Sequence, residues 1–172
     1  LHYPLRRQRQ MCIRDRLWTL AYPEYMSEYV SSHIQAYKDA GWLADGLANN
    51  RYVSGVGTNL LSTIIAGAYQ CGIRDFDTKL AYEACLKNEL DGKDRPFGAG
   101  KVNTAEFVKY GYVPHQDQGE GYHETFMFSA SHTLEYSYSA WAVAQWAKSL
   151  GDTENYDKLM NLSKGWERLY DT

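Results

Sequence analysis

The run Ser131-His132-Thr133-Leu134-Glu135-Tyr136 brings together side chains suited to proton transfer. It lies where a stretch containing glycines and Pro114 enters a long helical pattern, and such a junction holds a side chain rigidly. A carboxyl group there can act as a general acid if its surroundings keep it protonated. With a helix running from about Thr133 to Leu150, Glu135 falls in the first turn, where the helix dipole and free N–H groups favour the charged carboxylate. A proton donor needs the reverse, so burial among Tyr136, Tyr138 and other rings, or a neighbouring carboxylate, has to prevail. The same spacing also fits a plainer reading, in which Glu135 faces solvent and steadies the helix start, and His132 is a capping or core histidine.

Other polar groups carry less. Glu120, His123 and Glu124 cluster in the loop from Gly111 to about Ser131, but their spacing matches no specific metal motif, and a solvated loop is the simple expectation. A loop of that length in a compact domain tends to carry function. Gly55 and Gly57 do not make a phosphate-binding loop, because no strand and no G-x-x-x-x-G-K pattern accompany them. Cys12, Cys71 and Cys85 are odd in number and lack C-x-x-C spacing, which argues against a disulfide framework or a zinc site.

The elements that must position these groups read as helices. Apolar and aromatic residues from Tyr25 through Met26, Tyr29, Val30, Ile34 and Tyr37 recur at three- and four-residue steps until Gly41. A second helix is predicted from about Thr58 to Gln70, and a third from Asp77, as its cap, to about Leu90. The stretch Leu90 to Gly100 reads as a surface loop. Asn103 and Glu106 have capping-box spacing for a short helix that ends at Tyr110 and Gly111. After the long helix, Asp152 or Thr153 opens a last one. No β-alternation of any length is visible, so the expected class is all-α, built of antiparallel helical hairpins.

Composition agrees with a folded domain: 44% of the 172 residues are hydrophobic, 23% are charged and 15% are aromatic. No apolar run is long enough for a membrane span, and no signal-peptide core follows the basic N-terminus. The net charge of −3 conceals Arg6, Arg7, Arg9, Arg14 and Arg16 near the start. That arm has neither helical period nor interleaved aromatics, so neither nucleic-acid nor membrane contact is expected of it. The run RRQRQMCIRDR resembles translated sequencing-adapter read, and residues 1–16 are accordingly set aside from the fold, which is taken as 17–172.

The segment HTLEYSYSAWAVAQWAKSLGD, His132 to Asp152, resembles the signature helix of glycoside hydrolase family 92, the exo-acting α-mannosidases. SGVGTNLLSTIIAGAYQCGIRDFD upstream, the GYVP of Gly111 to Pro114, and the closing YDKLMNLSKGWERLYD follow in the family's order. The resemblance covers about Leu17 to Thr172. It implies that the helices belong to an (α/α)6 toroid, and that Glu135, in the T-L-E-Y motif, is the general acid. His132, Tyr136 and Tyr112 become candidates for lining the sugar site, with simple packing as the alternative. The family's general base, an aspartate in a Gly-Asn-Asp-Asp motif, has no counterpart here, nor has its earlier WD-containing motif. The chain therefore reads as an internal fragment, inactive by itself.

The resemblance further implies a glycan with terminal α-mannose as substrate, and Ca²⁺ as cofactor, a hard cation suited to oxygen ligands. No calcium ligand is assignable in this chain. A secreted or periplasmic enzyme is expected from the family. The sequence departs from the family where Ser139 and Ala140 stand in place of two aspartates before Trp141, and where Gly67 replaces an acidic residue. Two other readings stay open: a different helical-toroid carbohydrate enzyme, either a lyase or another glycosidase, and a non-catalytic α-hairpin scaffold. The scaffold reading predicts aromatic residues exposed along one continuous face.

Overall fold

The computed structural model describes residues 14–48, 51–53, 60–96, 98–115 and 128–170. Helix α1 (Arg14–Ala21) begins inside the N-terminal basic segment. Helix α2 (Pro23–Ala40) follows after Tyr22, with Pro23 in its first turn, where a missing N–H costs nothing. Met26, Val30, Ile34 and Tyr37 form its buried stripe. It stops at Gly41, whose φ of 75° is the left-handed conformation that closes a helix.

A short antiparallel hairpin comes next, β1 (Gly46–Ala48) and β2 (Arg51–Val53), registered Gly46 to Val53. Three-residue strands are too short to show alternation in the sequence, and this small hairpin leaves the class all-α, as expected. The Tyr52 hydroxyl pins the hairpin to the end of α2, donating to the carbonyls of Trp42 (2.6 Å) and Ala36 (3.2 Å).

Helix α3 (Leu61–Gln70) starts later than predicted, and residues 54–59 ahead of it lie outside those described. Helix α4 (Thr78–Leu90) opens as expected, with the Asp77 carboxylate accepting from the Leu80 N–H at 3.0 Å. Helix α5 (Thr104–Tyr110) is also present. Its predicted capping box is not formed: Asn103 has φ 55°, left-handed, and its side chain makes no capping bond.

The stretch between α4 and α5 differs in part from the surface loop predicted for it. Gly98, Ala99 and Gly100 are buried, as is Lys101 just after them. Ala44 and Ala99 form an antiparallel bridge, in which Asp45 N–H donates to Gly98 O and Gly100 N–H to Leu43 O, both at 2.8 Å. Lys93, Asp94 and Pro96 are exposed as expected of a surface loop, and only the end of the segment, from Gly98, turns inward and packs.

Helix α6 (Ser129–Leu150) is the organising element, packing against α3, α4, α7 (Thr153–Leu162) and the 3-10 segment Gly165–Leu169. Its inward face carries Trp146, fully buried, with its ring stacked on Tyr69 at 4.6 Å and tilted to Tyr82 at 5.3 Å. The Tyr82 hydroxyl donates to Asp152 Oδ2 at 2.9 Å. Asp152 in turn caps α7 by accepting from the Asn155 N–H, so one carboxylate joins α4 to the α6–α7 turn. A Cβ at Gly165 would run into the Gly111 carbonyl oxygen and press on Ser137 Oγ at 3.0 Å and the Phe107 ring at 3.1 Å, so a larger residue there forces the backbone to shift. Consecutive helices fold back on one another around a shared core. Among the described residues, no helix is long and apolar enough to cross a membrane.

Candidate active site

Helix α6 begins at Ser129, a full turn before the predicted Thr133, and Phe128 ahead of it makes no side-chain cap. Glu135 therefore sits beyond the first turn, and the N-terminal dipole argument does not reach it. Small residues, Ser129, Ala130 and Ser131, occupy the extra turn and carry no apolar period that would signal it. The loop cluster of Glu120, His123 and Glu124 lies outside the described residues.

Glu135 is half-buried, on the border between two unlike sides of α6. On one side His132, Tyr136 and Ser139 are buried. On the other, Leu134, Tyr138 and Trp141 are each more than two-fifths exposed, with Tyr138 and Trp141 stacked at 6.3 Å. A carboxyl group on such a border is held by protein on one flank and open to a ligand on the other.

The sequence-predicted neighbours divide accordingly. His132 stacks on Tyr136 at 5.5 Å and meets the Phe128 ring at 5.6 Å. Tyr136 is packed edge-on against Phe107 at 5.4 Å, and its hydroxyl donates to the Val102 carbonyl at 2.6 Å. Burial, above all, pushes the Tyr136 phenol well above its usual range. Tyr112 is exposed at the surface beside Tyr110. Its segment is nevertheless tied to α6, since the Val113 N–H donates to Thr133 Oγ1 at 2.9 Å and Thr133 Oγ1 donates to Ser129 O at 2.7 Å.

Beneath Tyr136 lies a charged cluster that sequence reasoning missed. The Lys101 ammonium pairs with the Glu89 carboxylate, both at or below 1% exposure. Ser139 Oγ donates to the same carboxylate, 3.0 Å from Oε1 and 2.9 Å from Oε2. Burial pulls the Lys101 ammonium below its usual range, while the Glu89 charge and hydrogen bond act the other way. Beside the pair, Arg95 closes the end of α4. Its guanidinium donates to the carbonyls of Asp91 (2.8 Å from Nε), Asn88 (2.6 Å) and Lys87 (3.3 Å), and lies over the Trp42 ring at 4.6 Å. Burial lowers Arg95 to about 10, which leaves it charged at neutral pH and complementary to the helix C-terminus. No motif in the sequence marks these residues, because the pairing crosses a loop that reads as solvated.

Among the described residues, no group of three or more His, Cys, Asp or Glu side chains gathers closely enough to hold a metal ion. Cys71 and Cys85 are free thiols.

The glycosyl hydrolase family 92 catalytic domain profile matches residues 14–172. The chain belongs to glycosyl hydrolase family 92. An uncharacterized secreted glycosidase of Arthroderma benhamiae is 31% identical to this family 92 chain over 159 residues, which are 90% of the chain and 20% of that protein. Among solved structures, a family 92 inverting mannosidase of Bacteroides thetaiotaomicron superposes with a TM-score of 0.77 at 26% identity, over 91% of this chain and 20% of the other. A family 92 α-mannosidase from the same organism, in complex with mannoimidazole, gives 0.71 at 22% identity over 91% and 19%, a likeness of fold. The chain thus spans about a fifth of the length of the relatives it matches. Its helices are part of the (α/α)6 toroid of the family 92 enzymes.

Proposed function

We propose that the parent protein hydrolyses terminal α-mannosidic bonds of glycans with inversion, and that Glu135 is its general acid. The observation that carries this reading is Glu135's place on α6, half-buried between a packed flank and an open aromatic one. Family membership supports it, as do a structural neighbour named an inverting mannosidase and another bound to mannoimidazole. The exposed Leu134, Tyr138 and Trp141 face is what the scaffold reading asks for, but membership of a hydrolase family favours catalysis.

In the proposed step, the Glu135 carboxyl gives its proton to the glycosidic oxygen as the bond to the anomeric carbon breaks. A water attacks from the opposite face of the ring and loses its proton to a carboxylate supplied outside this chain. Inversion sets the two carboxyl groups roughly 6.5 to 9.5 Å apart, leaving room for that water. Tyr112 is proposed to border the sugar directly, with the buried His132 and Tyr136 backing the site from the packed flank.

Calcium belongs to the same proposal through the family resemblance. No residue of this chain is assigned to its coordination. The part played by this chain is proton donation and its support.

The test is Glu135→Gln in the intact enzyme, assayed on two α-mannosides. With a poor leaving group, kcat should fall by roughly 10² to 10⁴, because protonation is then essential. With an activated aryl leaving group the loss should be far smaller. Near-normal turnover of the poor substrate would remove Glu135 from the acid role. Chelation followed by calcium addition, in the unsubstituted enzyme, should abolish and then restore turnover. Full activity after chelation would rule the ion out.

A further inference from the structure

Glu89, Lys101 and Ser139 come from three separate segments: the end of α4, the buried loop before α5, and the middle of α6. Their side chains meet with almost no access to solvent. A buried lysine–glutamate pair is a poor way to add stability, since well-packed apolar side chains of the same volume do as well or better. What charge offers instead is direction. The carboxylate meets both the ammonium and the Ser139 hydroxyl, and keeping both contacts constrains the rotation and height of α6.

The same loop grips α6 a second time. The Tyr136 hydroxyl donates to the carbonyl of Val102, next to Lys101, and the Lys101 ammonium lies 4.9 Å from the Tyr136 ring centre. Both contacts fall within four residues of Glu135. We propose that Glu89, Lys101 and Ser139 are positioning residues for the acid step, holding α6 so that Glu135 is aimed at the leaving oxygen. This rests on Glu135 being the general acid.

Helix geometry gives the scale. A carboxylate roughly 5 to 6 Å from the helix axis moves about 1 Å when the helix turns by about 10°. A displacement of that size in a reacting group can cost on the order of 10²-fold in rate. A modest loosening of α6 is therefore enough to weaken proton transfer without unfolding anything.

The test uses the intact enzyme carrying Glu89→Leu, Lys101→Met and Ser139→Ala together, so that no buried charge is stranded. The expected result is a thermal midpoint close to the parent's and little change in KM. On the substrate with a poor leaving group, kcat should fall on the order of 10²-fold. On the activated aryl substrate, which needs little help from an acid, it should stay close to the parent's. An equal loss on both substrates, or no loss on either, overturns the proposal.

If the triple variant does not fold, Ser139→Ala alone leaves the ion pair in place. It should lose activity on the poor substrate selectively, and an unchanged ratio between the two substrates overturns the proposal. Glu135→Gln, run alongside, separates the two levels. If it does not discriminate between the substrates, the acid assignment fails and takes this proposal with it. If it does while the other variants do not, only the positioning role is lost.

Discussion

Removing Lys101 alone should be among the costliest single changes in the chain. Lys101→Met leaves the Glu89 carboxylate at 1% exposure, with only the Ser139 hydroxyl to receive it. Breaking one side of a buried pair typically costs about 3 to 5 kcal/mol, which lowers the folded-to-unfolded ratio by a hundredfold to a few thousandfold. Glu89→Leu should cost a similar amount by stranding the ammonium. The double variant should recover most of the loss and lie within about 1 kcal/mol of the parent, because the charges leave together and Ser139 can turn its hydroxyl back to its own helix. Urea midpoints for the four proteins of the cycle measure the coupling directly. The exposed pair Lys158–Glu154, 2.7 Å apart with 54% and 78% exposure, is the internal comparison: Lys158→Ala should change stability by no more than about 0.5 kcal/mol. If the two buried substitutions simply add, the pair is not a unit and the reasoning fails.

Two further outcomes concern the body of the fold. The Tyr37 phenol, pushed up to about 12 by burial and then by its hydrogen bond and charge interaction with Glu83, ionises less readily in the folded state than in the unfolded one. Its contribution to stability is therefore complete below pH 10 and lost as the pH rises toward 12. Tyr37→Phe should flatten the fall of the urea midpoint over that window, and an unaltered slope would contradict the assignment. Gly165→Ala should cost about 1 to 3 kcal/mol by driving a methyl group onto the Gly111 carbonyl and toward Ser137 and Phe107, and a wild-type thermal midpoint would show that the segment gives way freely.

Signals confined to a few neighbouring residues were legible in the sequence. Asp77 and Asp152 cap helices as expected, because the bond from side chain to N–H spans only three positions. The period of α2 and its closure at Gly41 are equally local. Backbone conformation can cancel such a signal: Asn103 has the spacing of a capping box, but its left-handed backbone makes no use of it. The start of α6 is hard to read because Ser129, Ala130 and Ser131 carry no periodic large apolar residue, and the first-turn argument for Glu135 falls with it. Lys101 was hidden for a different reason. It follows directly on a run of Asp, Gly, Lys and Pro that reads as solvated, and only the long-range pairing with Glu89, which also holds Ser139, shows that it turns inward.

The flank of α6 that displays Leu134, Tyr138 and Trp141 bears on how this polypeptide behaves when handled by itself. Water beside such a ridge loses orientational freedom, and covering the ridge with other apolar surface relieves that cost. With about a fifth of its relatives' length present, this polypeptide carries the ridge bare, and its solubility should improve when Leu134 and Trp141 are made polar.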